Sequence, residues 1–367
     1  MKILLLTTHL NIGGVGFYTV NLAKYLKKRN VDVIVVSSGG DLEEILVRER
    51  IPHIKIDIRT KFEFSFKILK VVPVLFNLVK KEHIQVIHAQ TRVTQVLAWI
   101  VSRITRIPFI STCHGFFKSQ RLSRKLFPCW GEKIIAISVS VKEHLLEDFF
   151  IPNKRVELIR NGIEVNRFVK IASETRSNLI KKMNWSRDVI IVGSVGRLSP
   201  VKGFNYLISA FKRAKADNDK LKLLIVGEGK QESVLKQQVE SAGLSGEVLF
   251  VSGRESLEYY LSAMDIFCLS SVSEGLGLSL MEAMATGIAC IASSVGGLVE
   301  LINDGVDGLL VPAKNVEKLS ATIIRLAGDD VFRTLLKKNA QKKAIENFSI
   351  EKSVEKTIKV YREMTKE

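Results

Sequence analysis

Two basic residues and two glutamates stand out in the second half of the sequence because of their types and their spacing. Arg197 and Lys202 follow an apolar run that predicts a strand, in a loop bounded by glycines. Glu274 and Glu282 are eight positions apart, and glycines that can expose backbone N–H groups follow the first. Fixed cations stabilise a leaving group, such as a diphosphate, on which negative charge develops. The alternative for Arg197 and Lys202 is a pair of solvated surface cations, and the alternative for Glu282 is an exposed carboxylate on a helix.

A second glycine-rich segment follows the first predicted strand. Residues 13–16 read Gly-Gly-Val-Gly and lead directly into a predicted helix, whose N-terminus could hold an anion on backbone N–H groups. Gly14 is the candidate ligand-binding position. Thr19 occupies the third glycine position of the dinucleotide-binding pattern, and no acidic residue ends the second strand, which argues against NAD. A tight turn without a ligand is the alternative.

His114 and the cysteines are further candidates for chemistry. His114 follows a predicted strand and precedes Gly115, a position where an isolated histidine is more often structural. The cysteines show no metal-ligand spacing, and we predict buried reduced thiols and no metal site. They are Cys113, Cys129, Cys268 and Cys290.

The elements that must position these residues form two similar halves. Short apolar runs alternate with amphipathic stretches, which predicts α/β domains with parallel sheets. The predicted strands of the first half are 2–7, 31–37, 86–88, 109–112 and 133–137, with a helix at 16–29. Those of the second half are 189–195, 222–226, 248–251, 266–269 and 289–292, with helices at 205–214 and 278–285.

The length of 367 residues favours two domains. We predict an N-terminal domain at 1–165 and a C-terminal domain at 166–348, with a polar linker between Val165 and Asn184. A final helix, about 349–367, is expected to pack back on the first domain.

Taken together, these motifs resemble the retaining glycosyltransferases of family 4. The resemblance covers nearly the whole chain and rests on 196–203 (GRLSPVKG), 273–283 (SEGLGLSLMEA), 294–297 (SVGG), 112–115 (TCHG) and 161–163 (NGI). It implies the GT-B architecture, an α/β fold of two doubly wound, Rossmann-like domains that face each other across a cleft.

The resemblance also implies roles for individual residues. Arg197 and Lys202 would clamp the donor diphosphate, Glu282 would bind the ribose hydroxyls, and Glu274 would contact the donor sugar. His114 would meet the same sugar from the first domain. The family often has a second histidine two positions after His88, where this chain has a glutamine. Further donor-binding positions are Gly14, Leu276, Gly277, Leu278, Ser279 and Arg254, the last of which resembles a residue near the nucleotide base.

The implied activity is transfer of a hexose-type sugar, with retention, from a nucleotide-sugar to a hydroxyl of a glycan or lipid-linked acceptor. A UDP donor is expected from its frequency in the family, and neither a metal nor another cofactor is expected. Either Glu274 is a covalent nucleophile or, as the family favours, the leaving phosphate itself accepts the proton. A sugar-nucleotide epimerase of the same fold and a non-catalytic homologue are the alternatives.

The positive charge is concentrated in the first half of the chain. The net charge is +17, and residues 1–165 carry 26 Lys and Arg against 14 Asp and Glu. Basic and apolar residues mix in 59–81 and 116–127, which suits an anionic membrane surface, although a core helix with a solvated face is the alternative. No recognition motif supports nucleic acid. Without a recognisable signal peptide or membrane span, we expect a cytoplasmic protein, peripheral on the inner face of the cytoplasmic membrane.

Overall fold

The computed structural model describes residues 1–60, 65–117, 124, 127–169, 174–252 and 257–365. The chain divides into two compact units. Unit 1 contains residues 1–161 and 350–367, and unit 2 contains residues 162–349. None of the helices in the described ranges has the length and apolar character required to cross a membrane.

Unit 1 is built on a parallel sheet, because its strands are short, apolar and joined by helices. The described residues form seven strands in the order β3-β2-β1-β4-β5-β6-β7. Buried side chains lie on both faces of the sheet, as expected for a sheet covered by helices on each side. The strands are β1 (Lys2–Leu6), β2 (Asp32–Ser37), β3 (His53–Lys55), β4 (Val86–Ala89), β5 (Phe109–Cys113), β6 (Lys133–Ala136) and β7 (Val156–Leu158).

The helices of unit 1 include one from the end of the chain. They are α1 (Gly14–Lys28), α2 (Glu43–Arg48), α3 (Phe66–Lys81), α4 (Arg92–Thr105), α5 (Val139–Glu147) and, after all of unit 2, α15 (Ile350–Thr365). Helix α15 packs beside α1, and it buries Val354, Ile358 and Tyr361 in the same core as the β1 side chains. The final helix therefore completes unit 1.

Unit 2 has a second parallel sheet with the same kind of strand order. In the described residues the order is β10-β9-β8-β11-β12-β13, the arrangement of nucleotide-binding Rossmann folds. The strands are β8 (Ile190–Val195), β9 (Leu221–Val226), β10 (Val248–Val251), β11 (Ile266–Leu269), β12 (Ala289–Ser293) and β13 (Leu309–Val311).

The helices of unit 2 cover this sheet. They are α6 (Val165–Val169), α7 (Glu174–Lys182), α8 (Phe204–Asp217), α9 (Glu232–Ser241), α10 (Leu257–Ser262), α11 (Leu278–Thr286), α12 (Leu298–Leu301), α13 (Val316–Gly328) and α14 (Asp330–Asn347). The apolar faces of α8 and α13 pack together in the core, where Phe211 and Ile323 are fully buried.

The segment predicted to be a linker is part of unit 2 instead. The chain passes between units at Asn161–Gly162, and most of 165–184 lies in α6 and α7. Helix propensity and a few buried side chains outweigh the low apolar content of this segment. Those side chains are Phe168, Leu179 and Ile180.

Candidate functional site

The loops after β8 and β11 meet at the carboxyl edge of the unit 2 sheet. The strand order reverses between these two strands, and in open α/β sheets ligands bind at such a reversal. Strand β8 ends at Val195 and continues into the loop with Arg197 and Lys202, whereas β11 ends at Leu269 and leads to Glu274. The topology thus brings three predicted site residues to one end of adjacent strands.

The loop after β8 is held by backbone contacts with the loop after β9. The Gly196 N–H donates to the Val226 carbonyl at 3.0 Å, and the Leu198 N–H donates to the Glu228 carbonyl at 2.9 Å. A Cβ atom on Gly227 would lie 1.9 Å from the Gly196 carbonyl oxygen, so a larger residue does not fit there. The backbone that carries the two cations is therefore fixed in place.

Gly203 joins the β8 loop to the β11 loop. It has a φ of +65°, and a Cβ atom on it would lie 2.1 Å from the Ser270 carbonyl oxygen. The Ser270 hydroxyl donates to the Gly203 carbonyl at 3.0 Å, and the Val272 N–H donates to the Val201 carbonyl at 2.8 Å. The two loops are in direct backbone contact, which only glycine permits here.

Lys202 and Glu274 form an ion pair in this position. The distance from Lys202 Nζ to Glu274 Oε2 is 2.5 Å, and the Ser271 hydroxyl donates to the same carboxylate oxygen at 3.1 Å. Both charged side chains are mostly buried, with 19% and 16% of their surface exposed. Arg197 lies in the same loop and is exposed. The loop therefore carries two cations, and one of them, Lys202, is paired with a carboxylate that is already hydrogen-bonded.

Helix α11 begins beside this ion pair without a side-chain cap. Gly277 is its N-cap residue with a φ of +101°, and a Cβ atom there would lie 2.5 Å from Leu298 Cδ2. No described side chain caps the helix, so its positive end, with Leu278 and Ser279 in the first turn, suits an anionic ligand. The Leu276 side chain is buried, which leaves only its backbone for binding.

Glu282 lies on α11, one turn after Ser279, and has a perturbed acidity. Burial raises the pKa of its carboxyl from 4.5 to about 8, while Arg167 lowers it and Glu258 raises it further. Arg167 Nη2 and Glu258 Oε2 form an ion pair at 2.6 Å. The carboxyl is thus largely protonated at neutral pH.

Sequence reasoning missed Arg167 and Glu258, because they stand on the short helices α6 and α10 outside any recognised motif. Arg254, predicted to lie near the base, falls outside the described residues.

Three glycines follow β1, and the space around them differs from one to the next. A Cβ atom on Gly16 would lie 2.4 Å from the Asn11 carbonyl oxygen, so this glycine is required for packing. Gly13 and Gly14 have open space around the position of a Cβ atom, and no described side chain caps α1. These features are compatible with a ligand near Gly14 and also with an unoccupied turn.

His114 is held as a neutral side chain at the carboxyl edge of the unit 1 sheet. Its Nε2 lies 3.0 Å from Oε1 of Gln90, and the Tyr18 ring packs edge-on against it with a centroid distance of 4.8 Å. Burial lowers the pKa of His114 to about 3. An imidazole that stays neutral can bind a hydroxyl group but cannot serve as a cation near neutral pH.

A buried polar network lies next to His114 and connects the sheet to α15. His88 Nδ1 is 2.7 Å from the Tyr361 hydroxyl, and His88 Nε2 is 2.7 Å from the Thr112 hydroxyl. The Tyr18 hydroxyl is 3.3 Å from the same Thr112 oxygen. Burial lowers the pKa of His88 to about 3 and raises that of Tyr18 to about 12. Sequence reasoning assigned no role to His88, because this chain has Gln90 where the family often has a second histidine.

The prediction that the four cysteines are buried thiols is confirmed, because all four are free and buried. In the described part of the chain, no group of three His, Cys, Asp or Glu side chains is arranged to hold a metal ion.

Two family models match the chain, one for each half. The model for glycosyl transferases group 1 matches residues 175–343, and the model for glycosyltransferase family 4 matches residues 12–167. Among characterised proteins, the Escherichia coli UDP-Gal:alpha-D-GlcNAc-diphosphoundecaprenol alpha-1,3-galactosyltransferase is 28% identical over 306 residues, covering 79% of this chain and 78% of that protein. The Bacillus anthracis N-acetyl-alpha-D-glucosaminyl L-malate synthase is 24% identical and covers 97% and 95%.

Solved structures of glycosyltransferases have the same fold. A glycosyltransferase from Rickettsia africae ESF-5 gives a TM-score of 0.87 at 24% identity, covering all of this chain and 98% of the other. Anabaena HepE, solved in complex with UDP and glucose, gives a TM-score of 0.87 at 23% identity and covers 99% and 100%. Because the identity is this low, these likenesses establish the fold alone.

Proposed function

We propose that this chain, which belongs to the group 1, family 4 type of glycosyltransferases, is a sugar transferase that uses a UDP-sugar. It would move a hexose-type sugar from the UDP-sugar to a hydroxyl of a glycan or lipid-linked acceptor. The observation that carries the proposal is the carboxyl edge of unit 2. There Arg197, Lys202, Glu274 and the uncapped start of α11 gather at the reversal of strand order.

The names of relatives support the choice of a UDP-sugar as donor and of a glycan or lipid-linked acceptor. The Escherichia coli relative uses UDP-Gal and a diphosphoundecaprenol acceptor, as its name states. HepE was solved with UDP-glucose. Other relatives are named as acting on malate and on inositol 3-phosphate, so small acceptors also occur among proteins of this kind. We favour a glycan or lipid-linked acceptor.

In the proposed mechanism, the two cations neutralise the leaving diphosphate. Lys202 would exchange its partner Glu274 for a phosphate oxygen, and Arg197 would bind two oxygens with its planar fork. The N–H groups of Leu276, Gly277, Leu278 and Ser279 would bind the phosphate and the sugar. Each well-placed donor of this kind contributes about 3–4 kcal/mol to the transition state. We include no metal ion or other cofactor in this scheme.

The carboxylates would bind the rest of the donor. We propose that Glu282 accepts hydrogen bonds from the ribose hydroxyls, and that Glu274, once released by Lys202, contacts the sugar. His114, Gly14 and the undescribed Arg254 keep their predicted roles toward the sugar, the phosphate and the base.

We propose retention by front-face attack, in which the leaving phosphate accepts the proton of the acceptor hydroxyl. The hydrogen bond that the Ser271 hydroxyl donates to Glu274 reduces the nucleophilicity of this carboxylate, which supports this route over a covalent intermediate. Incubation with donor alone, followed by intact-protein mass spectrometry, tests it. We expect no added sugar mass. A sugar-sized increase that disappears in Glu274→Gln would establish double displacement instead.

We also propose that unit 1 associates with the inner face of the cytoplasmic membrane through α3. Phe66 and Leu69 are 84% and 57% exposed, and Lys70, Lys80 and Lys81 are exposed on the same helix. Each cation near an anionic surface contributes about 1 kcal/mol. The predicted positions 61–64, 118–123 and 125–126 lie outside the described residues.

Vesicle sedimentation tests this association. Binding to phosphatidylglycerol vesicles should weaken as salt rises, and replacing Lys70, Lys80 and Lys81 by glutamine should reduce it. Equal binding to neutral vesicles would contradict the electrostatic account.

The experiment that tests the transferase proposal is thermal stabilisation by a panel of UDP-, GDP- and ADP-sugars. A shift with a UDP-sugar that is lost in Glu282→Ala would support the donor site. A shift with another base only would refute the UDP assignment. Conversion of the bound sugar without any acceptor would favour the epimerase, and no shift with any donor would favour a non-catalytic homologue.

A further inference from the structure

Gln90 combines deep burial with an unsatisfied amide group beside the predicted sugar-binding histidine. It follows β4 directly, and His114 follows the neighbouring strand β5, so both stand at the carboxyl edge of the unit 1 sheet. The Gln90 N–H donates to the Leu6 carbonyl at 2.9 Å, which fixes the backbone. Only 3% of Gln90 is exposed, yet its side-chain nitrogen Nε2 has no hydrogen-bond partner.

The contact between Gln90 and His114 defines the tautomer of the histidine. Burial keeps His114 neutral, and a neutral imidazole has one N–H donor and one acceptor nitrogen. In the assigned orientation of the Gln90 amide, its carbonyl oxygen Oε1 lies 3.0 Å from His114 Nε2 and can only accept a hydrogen bond. The hydrogen is therefore on Nε2, which leaves Nδ1 as an acceptor.

The remaining polar atoms of the pair are suited to a hydroxyl ligand. No described residue pairs with His114 Nδ1, and the position of a Cβ atom on Gly115 is open. The unpaired Gln90 N–H groups are donors, and leaving such donors buried without a partner destabilises the protein. Two different hydroxyls of one sugar can satisfy both side chains, one by donating to His114 Nδ1 and another by accepting from Gln90 Nε2.

We propose that Gln90 is a positioning residue that fixes His114 in the Nε2–H tautomer and itself donates a hydrogen bond to the transferred sugar. The tautomer of His114 is a property of the protein alone. The hydrogen bond from Gln90 to the sugar rests on the proposed function, because it requires a sugar donor. Tyr18 supports the arrangement by packing edge-on against the imidazole on another side.

The tautomer is measurable without substrate. Two-bond proton–nitrogen NMR spectra of protein with labelled histidines distinguish the two neutral tautomers, and His114→Ala assigns the signal among the six histidines. We expect the Nε2–H form in the wild type and loss of that preference in Gln90→Met, which keeps the volume but removes both polar groups. Gln95→Met is the matched control, because Gln95 is equally buried in the same unit and also has an unpartnered side-chain atom.

The contact with the sugar is tested by comparing UDP with UDP-sugar. We expect Gln90→Met to bind UDP like the wild type but to lose about tenfold in affinity for the UDP-sugar and in kcat/KM, as for one lost hydrogen bond. Gln95→Met should lower neither the affinity for the UDP-sugar nor kcat/KM.

An Nδ1–H tautomer in the wild type, or an unchanged Nε2–H preference in Gln90→Met, would overturn the positioning role. Equal losses for UDP and UDP-sugar would overturn the sugar contact. If the wild type bound no nucleotide-sugar, the proposed function and the sugar contact would fail together, while the NMR result would still decide the tautomer.

Discussion

The affinity for a nucleotide-sugar should rise with pH because of Glu282. Burial raises the pKa of this carboxyl to about 8, so near neutral pH it is mostly protonated in the free protein. A carboxylate can accept hydrogen bonds from two ribose hydroxyls, one on each oxygen, whereas the protonated group offers one acceptor oxygen and one O–H donor. If the bound state requires the ionised form, ligand binding and proton release are linked.

The size of the effect follows from the ionised fraction. With a pKa of about 8, about a tenth of the carboxyl is ionised at pH 7 and about nine tenths at pH 9. The dissociation constant should therefore fall about tenfold between these pH values. This corresponds to about 1.4 kcal/mol of binding free energy.

Isothermal titration calorimetry with UDP-glucose measures this effect directly. The diphosphate of a nucleotide-sugar is esterified at both ends and has no proton to lose in this range. The uracil N3–H is still mostly protonated at pH 9, so ionisation of the ligand contributes little to a tenfold change. Titrations in buffers with different ionisation enthalpies should show release of almost one proton at pH 7. Glu282→Gln should bind with an affinity that does not change with pH.

Two results would refute this reasoning. A pH-independent affinity in the wild type would mean that the bound carboxyl is not ionised or that it does not contact the ligand. A pH dependence that persists in Glu282→Gln would assign it to another group.

The direction in which the free energy of unfolding changes with pH also follows, because the pKa of Glu282 is raised in the folded protein. The folded state then holds more protons than the unfolded state between pH 4.5 and about 8. The stability contributed by the protonated group should be complete below pH 4.5 and lost as the pH rises to about 8. Calorimetric melting of unliganded protein should show a smaller decline with pH in Glu282→Gln.

Three further substitutions have expected outcomes. Lys202→Met should lower kcat by about 10²–10³-fold in a transferase assay, because it removes a cation from the leaving group; normal kcat would exclude that role. Tyr361→Phe should cost about 1–3 kcal/mol in urea unfolding, because His88 Nδ1 would lose its buried partner; an unchanged midpoint would argue against the network. Gly203→Ala should destabilise far more than Gly243→Ala, because both have positive φ but only the first Cβ atom would clash; equal losses would contradict the steric argument.

The sequence predicted the structure best where the periodicity of a strand or helix lies next to residues that could do chemistry. The strands before Arg197 and Glu274 and the start of α11 follow from apolar periodicity and glycine punctuation, and the structure brings their loops together. The roles assigned to these residues stay predictions. The chain passes between the units at Asn161–Gly162, four positions before the predicted boundary. The segment predicted to be a linker is largely helical, because polar helices with a few buried side chains look like a linker in a sequence.

Contacts between distant parts of the chain were the least predictable. The His88–Tyr361 pair joins residues 273 positions apart, and neither lies in a pattern that specifies the other. The ion pair of Arg167 with Glu258 links two short helices whose packing is decided by the whole of unit 2. Such side-chain pairs depend on tertiary packing, on which local periodicity carries no information.

The return of the chain to unit 1 has a consequence for the order of folding during synthesis. Val354, Ile358 and Tyr361 belong to the same core as β1, but the ribosome makes them after all of unit 2. Unit 2 is continuous and can fold as soon as it has emerged, whereas unit 1 has to wait with part of its apolar core uncovered. A nascent chain stalled before residue 350 should therefore expose the first domain to chaperones and proteases, even though that domain was synthesised first.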